Sequence, residues 1–214
     1  MAFVDMETCA TLRAQMIDTQ LRARGISDPR VLDAMASVPR HEFAPEPYRE
    51  QAYEDHPLPI GEGQTISQPY IVALMLEALA LSPGERVLEI GTGSGYLTAL
   101  LSRLAAEVIS IERHASLADA ARVLLTTMGF TNVKIITGDG TQGFAEAAPY
   151  DAIVVSAAAA ELPQALIAQL AEGGRMIVPV GGPESQQLQF IRKVDGTAII
   201  QPRELCRFVP LVSG

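Results

Sequence analysis

The chain reads Arg86-Val-Leu-Glu-Ile90 and continues directly as Gly91-Thr-Gly-Ser-Gly95, and this stretch decides the fold. Its first half is a short apolar run typical of a buried strand, and a helical pattern of apolar residues begins at Tyr96. Glycines between a strand and a helix let the backbone turn tightly and approach a ligand closely. The stretch therefore predicts a strand, a glycine loop and a helix that together hold a nucleotide-type ligand.

Strand and helix patterns continue to alternate downstream of this loop. We predict strands over residues 107–111, 133–137, 152–155 and 175–180, and helices over residues 96–104, 116–128 and 163–170, the last ended by Gly173-Gly174. Such alternation indicates a mainly parallel sheet covered on both faces. Segments 188–191 and 198–202 predict a hairpin around Asp195-Gly196 that adds antiparallel strands. The expected fold class is α/β, with a doubly wound, Rossmann-like sheet.

The part of the chain upstream of the loop reads as a helical extension. Apolar spacing predicts helices over residues 8–24, 29–38 and 71–81, with Asp28 or Ser27 as the cap of the second. The proline-rich stretch 40–63 is poorly periodic and is expected to form an extended connection. We expect one compact unit in three segments: residues 1–82 (helices and a loop of the kind that often forms a binding edge), 83–182 (the core around the glycine loop) and 183–214 (the closing strands).

Charge and hydropathy narrow the class of protein. The 214 residues carry a net charge of -9, whereas proteins that bind nucleic acid concentrate Lys and Arg, so no nucleic-acid partner is expected. A secretory signal begins with basic residues followed by an apolar run, whereas this sequence has Asp5 and Glu7 near its start. The later apolar runs are too short to span a membrane. We expect a cytoplasmic protein without a membrane partner.

The cysteines and histidines predict neither a disulfide framework nor a metal site. Cys9 and Cys206 lie near opposite ends of the chain. His41, His56 and His114 are scattered and lack the spacing of metal ligands. Two reduced thiols are therefore the favoured interpretation, and no metal is expected.

The spacing of the glycines favours one cofactor class. The dinucleotide fingerprint G-x-G-x-x-G needs a glycine at position 96, which is Tyr96, whereas G-x-G-x-G is typical of S-adenosylmethionine enzymes. A purely structural turn remains an alternative for the loop alone. Glu112 follows the next strand, 21 residues after Gly91, where a carboxylate can accept hydrogen bonds from ribose hydroxyls.

A third position completes the predicted cofactor site. Asp139, after the third strand, could accept from an adenine amino group while Gly140 lets the ring approach, although an ordinary turn explains Asp139 nearly as well. Taken together, the three positions make a merely structural explanation improbable. The expected S-adenosylmethionine-binding residues are Glu89, Gly91, Thr92, Gly93, Ser94, Gly95, Glu112, Arg113, Asp139 and Gly140.

The segment Leu58-Pro-Ile-Gly-Glu-Gly-Gln-Thr-Ile-Ser-Gln-Pro-Tyr70 precedes the core. By itself it reads as a helix cap, with Ser67 or Gln68 before Pro69. It also resembles the P-[IL]-G-x-G-Q-T-I-S-x-P segment of the protein-L-isoaspartate O-methyltransferase family. The similarity extends over nearly the whole chain, including Val38-Pro-Arg40, the glycine loop, Gly138-Asp-Gly140 and Arg207-Phe-Val-Pro-Leu211.

The resemblance implies methyl transfer from S-adenosylmethionine to the free carboxylate of L-isoaspartyl residues, and potentially of D-aspartyl residues, in damaged proteins. It implies that Ser67 is the catalytic hydroxyl that contacts this carboxylate. Substrate binding is implied for Gln64, Thr65, Ile66, Ser67 and the backbone at Val209, and a monomer is the state expected from the family. The run Ser156-Ala-Ala-Ala-Ala160 departs from the family pattern and puts fine substrate preference in doubt.

The sequence disfavours three alternative functions. A methyltransferase acting on a base or small molecule is disfavoured because no Asn-Pro-Pro-Tyr-like segment follows the fourth strand. A non-catalytic S-adenosylmethionine-binding module is disfavoured by the intact segment 64–69. A dehydrogenase using NAD is disfavoured by Tyr96. Carboxyl methylation agrees with the absence of an evident general base, because a carboxylate is already ionised at neutral pH.

Overall fold

The structure, a computed structural model, describes residues 6–213. Asp5, one of the two acidic residues that argue against a secretory signal, lies outside this range. The strands are β1 (Leu58–Gly61), β2 (Gln64–Ile66), β3 (Arg86–Ile90), β4 (Glu107–Glu112), β5 (Val133–Thr137), β6 (Tyr150–Val155), β7 (Leu170–Gly181), β8 (Gln186–Val194) and β9 (Thr197–Cys206). The α-helices are α1 (Met6–Gln15), α2 (Pro29–Ser37), α3 (Pro69–Leu79), α4 (Tyr96–Leu104), α5 (Ala115–Thr127) and α6 (Gln164–Ala168).

Seven strands form one sheet in the order β5-β4-β3-β6-β7-β8-β9, and β1 pairs with β2 in a separate hairpin. Pairing is parallel from β5 to β7 and antiparallel from β7 to β9. The chain builds outward from β3 to β5 and then returns to β6 on the other side of β3. The carboxyl ends of β3 and β6 thus flank a switch point, where open α/β sheets bind ligands. The predicted Rossmann-like fold is confirmed.

The sheet separates two clusters of buried apolar side chains. Val87 packs into the larger cluster with the N-terminal helices and with Leu188 of β8, whereas Leu88 packs into the smaller one. Adjacent residues part in this way because successive strand side chains point to opposite faces. The larger cluster joins side chains from Cys9 to Leu188 in one core.

The structure corrects three local predictions. The first helix is α-helical only to Gln15; a π-helical segment, Met16–Leu21, and a 3-10 turn follow before Gly25 ends it in the left-handed region. The stretch 40–63 is not simply extended, because it forms two 3-10 turns and the strand β1. Gly173 and Gly174 lie within β7, so α6 ends before them.

Other predicted features are confirmed. Asp28 caps α2 by accepting a 2.9 Å hydrogen bond from the Arg30 amide, and the β8–β9 hairpin turns at Asp195-Gly196. Within residues 6–213, no helix combines the length and the apolar character that crossing a bilayer requires.

Candidate active site

A cavity opens at the carboxyl ends of β3 and β4, with about 1020 Å³ of empty space including its mouth. The glycine loop, the start of α4, the segment 64–67 and the tail 209–212 form its walls. The sequence predicts ten residues that bind the cofactor, from Glu89 to Gly140. Of these, Gly91, Thr92, Gly93, Ser94, Glu112, Arg113 and Gly140 line the cavity, as do the predicted substrate residues Gln64, Thr65, Ile66, Ser67 and Val209.

Glu112 is fixed within the cavity by backbone amides. Its Oε2 accepts a 2.9 Å hydrogen bond from the Gly93 amide, and its Oε1 accepts a 3.0 Å bond from the His114 amide. The residue is only 5% exposed. Each carboxylate oxygen has a second acceptor site, so this carboxylate can also accept bonds from a diol within the cavity.

The rest of the cavity wall suits a nucleoside. Ile90, Leu97 and Ile111 provide apolar surface next to the Glu112 carboxylate. Gly140 lies so close to Ile90 that an added Cβ would stand 2.6 Å from Ile90 Cγ2, so the site depends on a glycine there. A buried carboxylate for ribose, an apolar slot and a close-approaching backbone fit S-adenosylmethionine.

Three of the expected cofactor residues do not line the cavity: Glu89, Gly95 and Asp139. Gly95 lies at the N-terminus of α4 with a left-handed φ of 87°, packed against α5. The Asp139 carboxylate accepts a 2.8 Å hydrogen bond from the Thr141 amide, so its side chain shapes the turn that carries Gly140.

Glu89 lies fully buried below the glycine loop rather than in the cavity. Its Oε2 accepts 2.6 Å hydrogen bonds from the hydroxyls of Thr98 and Ser110, and Ser110 Oγ lies 2.5 Å from Thr92 Oγ1. Burial is the main cause that raises the pKa of Glu89 to about 8. Glu89 therefore supports the loop through Ser110 and Thr92, and the structure gives it no contact with the cavity.

A second groove meets the first cavity at Ser67. The groove is lined by the segments 65–71 and 205–209, together with Pro57 and Ser156. Thr65, Ser67, Ser156 and Val209 line both spaces. A group held in the groove can therefore meet a group held in the cavity beside the Ser67 side chain.

Ser67 is held by the residues around it and does not cap α3. Gln68 is the N-cap residue, and its side chain donates a 3.1 Å hydrogen bond to Asp55 Oδ2 instead of capping. The Ser67 carbonyl accepts a 2.9 Å hydrogen bond from Arg40 Nη2. Of the two cap positions that the sequence allows, the structure confirms Gln68 before Pro69 and not Ser67.

The tail and the hairpin complete the site from two sides. The Ala158 amide donates to the Val209 carbonyl at 2.7 Å, and the Leu211 amide donates to the Ala158 carbonyl at 2.8 Å, which ties the tail to the loop after β6. In the turn of the β1–β2 hairpin, Glu62 Oε1 accepts a 2.7 Å bond from Ser116 Oγ, and Glu62 Oε2 lies 3.8 Å from His114 Nδ1. The turn thus reaches the start of α5.

Sequence reasoning missed several lining residues: Val72, Met75, Tyr96, His114, Pro210, Leu211 and Val212. Val72 and Met75 are three positions apart on α3, a spacing that already indicates a shared face. His114 had been considered only as a metal ligand. Among residues 6–213, no group of three His, Cys, Asp or Glu side chains could hold a metal ion.

Comparison with known proteins identifies relatives along the whole length. A sequence profile of the protein-L-isoaspartate(D-aspartate) O-methyltransferase family matches residues 12–214. A protein-L-isoaspartate O-methyltransferase of Koribacter versatilis is 57% identical over 208 residues, covering 97% of this chain and 94% of the relative. One of Methanoculleus marisnigri is 53% identical over 209 residues, covering 98% and 95%.

Solved structures agree with the sequence relatives. A protein-L-isoaspartate O-methyltransferase superposes with a TM-score of 0.84 at 33% identity, covering 92% of this chain and 65% of the other. A candidate protein-L-isoaspartate O-methyltransferase of Plasmodium falciparum, solved with S-adenosyl-L-homocysteine, superposes with a TM-score of 0.82 at 32% identity, covering 96% and 98%. By its sequence, fold and relatives, this chain belongs to the protein-L-isoaspartate(D-aspartate) O-methyltransferase family.

Proposed function

We propose that this protein is a repair methyltransferase that transfers a methyl group from S-adenosylmethionine to the free carboxylate of L-isoaspartyl residues in damaged proteins. The observation that carries the proposal is the meeting of two spaces at Ser67, a nucleoside-sized cavity and an adjoining groove. A methyl donor and a peptide acceptor need such a junction, because the reacting atoms must approach in line. Acceptance of D-aspartyl residues is part of the same proposal.

The residues that would hold the cofactor are those lining the cavity. The Glu112 carboxylate would accept hydrogen bonds from the ribose hydroxyls. The loop from Gly91 to Ser94 would leave room for the rest of the molecule. Gly140, which lines the cavity, would contact the adenine ring. When bound, S-adenosylmethionine supplies an electrophilic methyl group on a sulfonium centre.

The chain's own contribution to the chemistry is orientation. An acceptor carboxylate is ionised at neutral pH and needs no base to remove a proton. Ser67 would donate a hydrogen bond to one carboxylate oxygen and leave the other free to attack. Holding two reactants in line can lower a barrier by several kcal/mol, on the order of measured effective-molarity gains. Gln64, Thr65 and Ile66 would shape this wall, and the backbone at Val209 would hold the peptide.

Transfer of labelled methyl to a short L-isoaspartyl peptide tests the proposal, with the same peptide containing normal aspartate as the control. We expect base-labile label on the isoaspartyl peptide alone. Equal labelling of both peptides would contradict repair specificity. No labelling by a protein that binds S-adenosylhomocysteine would contradict the acceptor and leave the cofactor site standing.

We further propose that the protein acts as a cytoplasmic monomer without a nucleic-acid or membrane partner. The net charge of -9 supports the absence of a nucleic-acid partner, because phosphate binding requires concentrated positive charge. Light scattering of the purified protein tests the monomer; a mass of twice 22.9 kDa would overturn it.

A further inference from the structure

Arg40 is buried without a counter-ion beneath the substrate segment. Arg40 is 0% exposed and has the largest volume among the fully buried side chains of residues 6–213. Its Nε donates a 2.7 Å hydrogen bond to the Ala52 carbonyl, and its Nη2 donates a 2.9 Å bond to the Ser67 carbonyl. The guanidinium carbon lies 4.9 Å from the ring centroid of Tyr96, a residue that lines the cavity. The Arg40 side chain thus connects Ala52 of the N-terminal region to Ser67 and to Tyr96, which both line the cavity.

The positive charge of Arg40 is not neutralised locally. No carboxylate within residues 6–213 forms a salt bridge with it. Asp55 acts on it only at longer range, since the Asp55 oxygens bind Arg24, Gln68 and the Tyr70 amide. Burial lowers the pKa of Arg40, but a guanidinium starts so high that it stays protonated at neutral pH.

Arg175 shows what a structural arginine looks like in this fold. Its guanidinium also donates to backbone carbonyls, those of Leu79 and Ala80, but it is paired with Glu85 at 2.6 Å. Burying a charge without a partner is costly, and stability alone favours pairing it or replacing it with an apolar side chain. Stability therefore explains Arg175 and leaves the unpaired Arg40 unexplained.

We propose that Arg40 is a positioning residue that fixes Ser67 through its carbonyl and makes the acceptor position beside Ser67 favour an anion. The proposal rests on the function proposed above, because the anion is the acceptor carboxylate. The guanidinium holds the two carbonyls from two nitrogens fixed in one rigid plane, a geometry that the single nitrogen of a lysine does not reproduce. The buried charge acts over a longer distance than it would in water, because less solvent screens it.

Two variants separate the effect of the guanidinium geometry of Arg40 from the effect of its positive charge. Arg40→Lys keeps the charge and loses the guanidinium geometry, whereas Arg40→Gln loses both. Arg175→Gln is the matched control, since it also removes a guanidinium that donates to two backbone carbonyls. Calorimetry would measure binding of two peptides to the protein saturated with S-adenosylhomocysteine: an isoaspartyl peptide, and its isoasparaginyl counterpart, in which a neutral carboxamide replaces the acceptor carboxylate.

For Arg40→Gln we expect the preference for the charged peptide to fall about tenfold, the change that 1.4 kcal/mol produces. Affinity for S-adenosylhomocysteine should change less than about twofold, a difference below 0.5 kcal/mol. Arg40→Lys should weaken both peptides alike and keep the preference. Arg175→Gln should lower the melting temperature and leave the preference unchanged.

An Arg40→Gln protein that keeps the full preference would overturn the inference, as would an Arg175→Gln protein that loses it equally. If Arg40→Gln does not fold, Arg40→Lys decides: loss of preference despite the retained charge would sink the proposal. A wild-type protein that binds neither peptide would instead contradict the proposed function itself, and the Arg40 inference with it.

Discussion

Ser67 lies where the cofactor cavity and the groove meet, and its carbonyl, not its hydroxyl, is used to hold it in place. Replacing Ser67 with Ala should therefore lower turnover of the isoaspartyl peptide while leaving the affinity for S-adenosylhomocysteine nearly unchanged. Loss of one hydrogen bond to a charged group predicts about a tenfold to a hundredfold decrease, or roughly 1.5–3 kcal/mol.

Steady-state kinetics and calorimetry on the Ser67→Ala protein check this prediction. Ser37→Ala is the control, because the Ser37 hydroxyl donates only to the Ala34 carbonyl within its own helix. Equal losses of turnover and cofactor affinity in Ser67→Ala would count against a role confined to the acceptor.

Glu89 makes stability depend on pH. Its pKa is about 8 when folded, against 4.5 for an ordinary glutamate. Its contribution to stability is therefore present in full below pH 4.5 and is lost progressively as pH rises to about 8. Glu89→Gln should remove this slope, so that the variant becomes more stable than wild type at pH 8 or above, by an amount on the order of a few kcal/mol.

Urea unfolding of both proteins between pH 5 and 9 measures the difference. Parallel pH profiles for wild type and Glu89→Gln would show that the buried carboxyl does not carry this dependence. The sequence marks Glu89 as an acid before a glycine loop but does not show which face of the sheet it occupies, and the structure places it below the loop and not in the cavity lining. Strand alternation gives the correction: Glu89 shares the face of Val87, opposite to Leu88 and Ile90.

At the scale of elements, the glycine loop also decides how α4 and α5 pack. An added Cβ at Gly95 would lie 3.2 Å from Leu125 Cδ1 and 3.3 Å from Ala121 Cβ, whereas at Gly129 it would meet nothing within 4 Å. Both glycines have left-handed φ values, 87° and 80°. Gly129→Ala should therefore cost only the conformational penalty, roughly 1–2 kcal/mol.

Gly95→Ala should cost more than Gly129→Ala, by roughly another 1–3 kcal/mol, because α5 must shift to admit the methyl group. The free energy of unfolding in urea gives both values. Equal losses would mean that the contact with α5 relaxes without resistance.

The strands of the parallel sheet could be predicted because buried strands read as short apolar runs bounded by glycine or charge. Strands β3 and β5 have the bounds that the sequence indicates. The β1–β2 hairpin could not be predicted, since its strands have only four and three residues and Pro59 interrupts the pattern. Leu58 and Ile66 face each other in the hairpin and are both buried in the larger core cluster, most of whose members lie far away in the chain.

At the scale of the whole molecule, cofactor binding should stabilise the fold. The cavity walls come from the N-terminal segment, the glycine loop and the tail, so a bound ligand links all three. At a hundred times its dissociation constant, a ligand adds about 2.7 kcal/mol to the free energy of unfolding. S-adenosylhomocysteine should therefore raise the melting temperature, and NAD should not. A rise with NAD alone would revive the dehydrogenase alternative.

The same scale explains why the sequence indicated the lining of the cavity better than the residues that support it. Residues that line the cavity occur at fixed distances from the glycine loop, so their spacing indicates their place. Arg40 gives no such signal, because arginines are mostly solvated and nothing nearby in the sequence shows that this one is buried. Only the packing of the N-terminal region against Ser67 and Tyr96 reveals its position.

The hairpin turn has a consequence for how a turnover ends. Glu62 joins the turn to Ser116 through an exposed hydrogen bond and lies 3.8 Å from His114, a contact that is ionic only when the imidazole is protonated. An exposed ion pair of this kind is worth only about 0.2–1 kcal/mol and weakens in salt. The rate at which S-adenosylhomocysteine dissociates would then depend on opening of this turn, which requires little free energy. Glu62→Ala should speed the dissociation of S-adenosylhomocysteine in stopped-flow experiments, most clearly at low ionic strength, and an unchanged rate would place the exit elsewhere.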